Sequence, residues 1–140
     1  MRLSIIIPAL NEAAHIESTL RPLQAMRGRG VEVIVVDSGS TDGTRALAMP
    51  LADQVIEAER GRARQMNAGA ALATGEALLF LHADSRLPED GDNAIGRALA
   101  TPDRQWGRFD VEIEGAHFML PVIAWFMNHR SRLTGIATGD

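Results

Sequence analysis

Residues 3–7 (Leu-Ser-Ile-Ile-Ile) and 31–36 (Val-Glu-Val-Ile-Val-Val) are short, β-branched, almost unbroken apolar runs. A strand wet on one face alternates apolar with polar residues, so unbroken runs predict strands covered on both faces, as in a parallel sheet. Each is followed by a segment of helical periodicity. Ala13, Ile16, Leu20 and Leu23 recur at helical spacing, predicting a helix over 12–26 with Asn11 at its N-cap and Gly28 and Gly30 past its end. After the second run comes the polar turn 38–43, where Ser40 or Thr41 can cap a short helix reaching Met49. Val55-Ile56 reads as a third strand. Residues 62–74 are Ala-rich and helical, with Gly75 at C′, and 77–81 form a fourth strand. Pro88 to Ala100 reads as a helix. Phe109, Val111 and Ile113 alternate with acids, predicting a half-buried strand over 106–114, and a helix over 117–133 has Pro121 in its first turns. The expected fold class is α/β: a mostly parallel sheet with helices on both faces. Ligands of such sheets sit at the carboxyl ends of the strands.

The 140 residues suit one domain, and no internal repeat or linker interrupts them. Net charge is -4, and all 14 basic residues are Arg. Without a basic stripe, general nucleic-acid binding is excluded as an expectation. Zero cysteines remove disulfide frameworks, thiolate metal sites and cysteine nucleophiles. The apolar start is cut short by Pro8 and Asn11, unlike a secretory signal. The longest apolar patch, 118–127, is too short to span a membrane.

Three strand ends are polar: 8–12, 37–42 and 82–84. Asp37 ends the second strand, where a carboxylate can accept from a ribose hydroxyl or a base N–H, or simply close a turn. A nicotinamide dinucleotide fingerprint would need glycines after the first strand; Pro-Ala-Leu-Asn-Glu contains none. A P-loop is excluded because the chain has no lysine. His82 and Asp84, two apart at a strand end, project to one side and can share a divalent cation, with Mn2+ tolerating the mixed N/O set better than Mg2+. The alternative is a helix-cap aspartate beside a packed histidine. Arg62 and Arg64 open the third helix against its macrodipole, which suits phosphate recognition or a solvated face. Asn67 lies on the same helix and reads otherwise as a surface residue.

Taken in order, SIIIPALNEAAHI, EVIVVDSGSTDGT and GRARQMNAGAALATGEALLFLHAD resemble the family-2 glycosyltransferases. They are similar to that family's opening strand with its Pro-x-x-Asn-Glu turn, its Asp-x-Ser-x-Asp-Gly-Thr loop, and the helix and strand leading to its Asp-x-Asp metal motif. The third segment, with LLFLHADSRLP, resembles a bacterial subgroup labelled arsenosugar- or selenium-associated. The resemblance implies a Rossmann-like nucleotide-sugar fold and an inverting, metal-assisted transfer of sugar from a nucleotide-diphosphate donor to an acceptor hydroxyl. Pro8, Ala9, Asn11 and Glu12 would border base and ribose, Asp37 would bind the base edge, and Ser40 would lie close by. Arg62, Arg64 and Asn67 would serve the nucleotide and diphosphate. Asp84 would be the direct ligand of Mn2+ or Mg2+, with His82 in place of the motif's first Asp.

The family continues past a Gly-Asp-Gln segment that Thr138-Gly139-Asp140 resembles, so a truncated chain lacking the acceptor region and the catalytic base is expected. Asp110 and Glu112 match no base motif. The base is thus expected beyond Asp140, leaving no catalytic residue to name. Alternatives are a non-catalytic nucleotide-binding or assembly module, and a nucleotidyltransferase, which would want a Gly-rich basic loop after the first strand. The apolar residues of 118–127 raise two further expectations, a homodimer and a weak membrane-surface contact for an otherwise cytoplasmic protein.

Overall fold

The computed structural model describes residues 1–101, 105–110 and 112–134. Two compact units divide the chain, Met1–Arg97 and Ala98–Asp140. In the first, β1 (Leu3–Ala9), β2 (Glu32–Asp37), β3 (Gln54–Glu57) and β4 (Ala77–Phe80) form one sheet in the order β3-β2-β1-β4. All three pairings are parallel: Ile5 faces Val33 and Leu79, and Val36 faces Ile56. This is the predicted fold class.

The two central strands are buried from both sides because successive side chains alternate between faces. Ile6, Ile34 and Val36 point one way and pack with Ala68, Ala70 and Ala73 of the segment that begins with α4 (Arg62–Leu72). The other set, Ile5, Ile7, Val33 and Val35, is equally inaccessible. Ile16 and Leu20 of α1 (Ile16–Leu20) and Met26 of α2 (Gln24–Gly28) are fully buried too, along with Leu23 between the two helices. α3 (Thr44–Ala48) packs on β2, and α5 (Gly91–Leu99) follows β4.

Close approach of α4 to the sheet depends on Gly69, where a Cβ would stand 2.5 Å from Ile6 Cγ2. Gly75 is equally constrained. The helix ends at Leu72 with Ala73 already extended, so Gly75 is not its C′ residue; a Cβ there would meet the Ser4 backbone nitrogen at 2.6 Å.

Several local expectations are corrected. The helix expected over 12–26 is two short helices, because Pro22 lacks an N–H and its ring collides with the preceding turn. Asn11 is not an N-cap: it sits in the left-handed region at φ 54°, and α1 starts only after His15. Neither Ser40 nor Thr41 caps α3. Gly43 occupies the cap at φ 89°, and Asp42 Oδ1 takes the Thr44 amide at 3.1 Å. α5 starts at Gly91 rather than Pro88.

In the second unit, α6 (Leu120–Thr134) carries Pro121 in its first turn, as expected. The strand expected over 106–114 is absent among the described residues, with Val111 outside them. The alternation survives in exposure: Phe109 and Ile113 are half-buried, while Asp110, Glu112 and Glu114 are exposed. No ladder partner converts it into a strand. Thr138, Gly139 and Asp140 also lie outside the described residues. Among those described, no helix is long and apolar enough to cross a membrane.

Candidate functional site

Chain order in the sheet reverses between β1 and β4, since β2 and β3 are laid down on one side of β1 and β4 on the other. A crevice outside the strand ends is expected at such a point. A cavity of about 310 Å³ opens there. Pro8, Ala9, Leu10 and Glu12 from the end of β1 line it, with Ser38 from the end of β2. Its other walls are Gly61, Arg62 and Gln65 at the start of α4, and His82, Ala83 and Asp84 after β4. Six predicted site residues therefore meet in one cavity: Pro8, Ala9, Glu12, Arg62, His82 and Asp84.

The others stand apart from its lining. Arg64 is exposed and paired with Glu59 at 2.6 Å, and Asn67 is exposed on α4. Asn11 and Ser40 are occupied with each other's loops. The Asn11 amide donates to Ser40 Oγ at 2.9 Å, and Asn11 Oδ1 accepts the Thr41 amide at 2.9 Å. The Glu12 and Ala13 amides donate to Thr44 Oγ1 at 2.8 Å and Asp42 Oδ2 at 3.0 Å. Four bonds thus latch the turn after β1 to the loop after β2. The Thr44 hydroxyl, 2.5 Å from Asp42 Oδ1, and the Ala13 amide hold the Asp42 carboxyl below its ordinary range.

Asp37 is buried at the end of β2, opposite Ala9. Its Oδ2 accepts the Gly39 and Ser40 amides at 3.1 and 3.0 Å, which orients the carboxylate. Its Oδ1 is the one buried side-chain polar atom without a partner among the described residues. A buried lone carboxylate oxygen is costly unless something donates to it, so the position is suited to a ligand N–H or O–H.

Sequence reasoning missed Leu10, Ser38, Gly61, Gln65 and Ala83 of the lining, and of these Gln65 bridges the strand ends. Its Nε2 donates to the carbonyls of Ala9 at 3.0 Å and Val36 at 2.8 Å, bridging the ends of β1 and β2 from beneath the cavity. Two carbonyl acceptors fix which end of the amide is nitrogen. Its spacing of four from Gly69, on the sheet-facing stripe of α4, was the available signal.

Among the described residues no group of three or more His, Asp or Glu side chains forms a ready-made metal site. His82 and Asp84 supply two donors on one wall of the cavity. Hard cations in phosphate-binding sites often take only one or two protein ligands and fill the rest of the sphere with phosphate and water. The pair therefore fits a cation shared with a bound diphosphate. In the second unit Asp110 is taken up by Arg108 at 3.0 Å and by Arg132.

Comparison with known proteins agrees with this geometry. Residues 4–132 match glycosyl transferase family 2. An uncharacterized glycosyltransferase of Nostoc sp. is 34% identical over 91 residues, covering 60% of this chain and 28% of the relative. A PGL/p-HBAD biosynthesis glycosyltransferase of Mycobacterium bovis is 40% identical over 93 residues, 61% of this chain and 36% of the relative. Among solved structures, a mannosyltransferase of Pyrobaculum calidifontis in complex with GDP-Man and Mn2+ superposes with a TM-score of 0.64 at 35% identity, covering 71% of this chain and 32% of the other. Glucosyl-3-phosphoglycerate synthase of Mycobacterium tuberculosis, solved with Mn2+ and UDP, gives 0.63 at 27% identity, covering 72% and 40%. The chain thus spans about a third of the length of the curated relatives it matches. A match running from the first strand into the last helix, on a sheet with the cavity where that fold binds its ligands, shows that the chain belongs to glycosyl transferase family 2.

Proposed function

We propose that this chain is the donor-binding part of an inverting glycosyltransferase that takes its sugar from a nucleotide diphosphate and passes it to an acceptor hydroxyl. The observation that supports this best is the cavity at the reversal of strand order, walled by Arg62 on one side and by His82 and Asp84 on another. A diphosphate needs a cation-rich, polar wall, and a nucleoside needs an adjacent buried acceptor; Asp37 Oδ1 supplies the latter.

In this reading Pro8, Ala9 and Glu12 border the ribose and base, and Asp37 accepts from the base edge. Asn11 and Ser40 act by holding the two loops together. Arg62 faces the diphosphate, with Arg64 and Asn67 further along α4 adding to its approach. His82 and Asp84 hold Mn2+ or Mg2+. When bound, the cation neutralises charge on the departing nucleotide diphosphate. The acceptor oxygen bonds to the anomeric carbon as the bond to the diphosphate oxygen breaks, and the acceptor's proton passes to a base that none of these residues supplies. The complete enzyme works in the cytoplasm. The exposed apolar residues Phe118, Trp125 and Phe126 serve contact with a membrane surface or a second copy.

Thermal unfolding with UDP, GDP, CDP and dTDP, each with and without Mn2+, tests this. Ligand at about 100 times its Kd adds roughly 2.7 kcal/mol, a rise of about 9 °C for a domain of this size. A Mn2+-dependent rise with one nucleotide, abolished by Asp84→Ala, is the expected result. A cooperative melt that no nucleotide moves would overturn the reading.

A further inference from the structure

We propose that Thr19 is a positioning residue for the His82–Asp84 wall. This rests on the reading of that wall as a cation site. The Thr19 hydroxyl donates to the Ala83 carbonyl at 2.6 Å, and the two residues are only 2% and 4% exposed. A helical threonine ordinarily turns its hydroxyl back to a carbonyl of its own preceding turn. Thr19 instead reaches from α1 to a segment 64 residues away. Valine would fill the same buried space, so what the hydroxyl adds is this bond.

Ala83 stands between the two candidate ligands. Upstream, the Leu81 amide donates to the Ile6 carbonyl at 3.0 Å and ends the β4 ladder. Downstream, the Ser85 amide closes a turn on the His82 carbonyl at 3.1 Å. The peptide joining Ala83 to Asp84 is planar, so fixing its oxygen fixes its plane. Rotation of that plane would move the Asp84 Cα and the carboxylate it carries, which also accepts from Ser85 Oγ at 3.3 Å. Thr19 also ties this wall to the opposite one. α1 is anchored at its start by the His15 and Ile16 amides, which donate to the Glu12 carbonyl at 2.9 and 2.8 Å. One short helix therefore spans from the turn after β1 to the segment after β4.

The test is Mn2+ affinity, read from the electron paramagnetic resonance signal of free Mn2+, with UDP or GDP present. Thr19→Val is expected to weaken Mn2+ binding about 10-fold, the lower end of what removal of a ligand-orienting partner costs. Thr19→Ser, which keeps the donor, restores it. Ser4→Ala is the control, because it removes a buried hydroxyl bonded to Glu32 at the opposite end of the sheet; its Mn2+ affinity stays at the wild-type value. Thr19→Ala replaces the valine variant if that fails to fold. Unchanged affinity in a folded Thr19→Val or Thr19→Ala protein, or an equal loss in Ser4→Ala, overturns the role of Thr19 alone. A wild-type chain that binds no Mn2+ with either nucleotide overturns the cation site and this role with it.

Discussion

Asn11 Oδ1 accepts the Thr41 amide at 2.9 Å while Asn11 itself stands at φ 54°. Asparagine tolerates that backbone region better than other residues bearing a Cβ, and its side chain supplies the acceptor. Asn11→Gly keeps the backbone and loses the bond; Asn11→Ala loses both. Urea unfolding is expected to show the alanine variant less stable than wild type by about 2 kcal/mol and the glycine variant by about 1 kcal/mol. Equal losses would mean that the left-handed conformation carries no cost there.

Gln65 is expected to matter through its donors. Gln65→Met keeps the volume and withdraws both hydrogen bonds from the Ala9 and Val36 carbonyls, costing about 1–3 kcal/mol in urea unfolding. Gln65→Glu costs more near neutral pH, since a buried carboxylate would face two carbonyl oxygens. The order of the two variants is the measurement that checks the bridge.

Two glycines give opposite signs. At Gly69 a methyl group would overlap Ile6 Cγ2 and stand 3.0 Å from Val36 Cγ2, so Gly69→Ala is expected to destabilise by about 1–3 kcal/mol. Gly28 closes α2 with nothing within 4 Å of its would-be Cβ. Gly28→Ala is expected to stabilise by about 0.4–1 kcal/mol through the unfolded chain. Parallel denaturation curves check both.

Acid dependence follows from Asp92. The Arg29 guanidinium donates to both its oxygens at 2.8 Å, which holds the carboxyl below its ordinary value of 3.8 against the opposing effect of partial burial. A carboxyl lowered in the folded state stabilises fully above its unfolded pKa, and that contribution is lost as pH falls through the lower folded value. Asp92→Asn is therefore expected to be less stable than wild type near pH 7. The gap should narrow below about pH 4 as the wild-type carboxyl takes up its proton. Chemical denaturation across that range measures it; a gap independent of pH would contradict the pair's charge dependence.

Much of this was legible in the residues. The four strands declare themselves because the central ones are apolar on both faces, and His82 and Asp84 because polar residues follow so abruptly on 77–81. What escaped depends on contacts between distant segments. Asn11 and Ser40 have the right types to face a ligand and equally to bond each other; only the register of β1 against β2 decides. Gln65 looks like a surface glutamine until the strand ends are placed above it. Phe109 and Ile113 are half-buried between exposed acids as the alternation expects, but Trp106 is exposed, and a strand also needs a neighbour to pair with.

β1 is one of the two central strands, paired with β2 on one edge and β4 on the other. Its β2 edge can zip once Asp37 has been made, whereas its β4 edge waits for Phe80. Loop closure must precede such distant pairings, and they are slow to form. The crevice between β1 and β4 is therefore assembled from segments far apart in the chain: the latch between its first wall and the loop after β2 is complete by Thr44, whereas its second wall is complete only at Asp84.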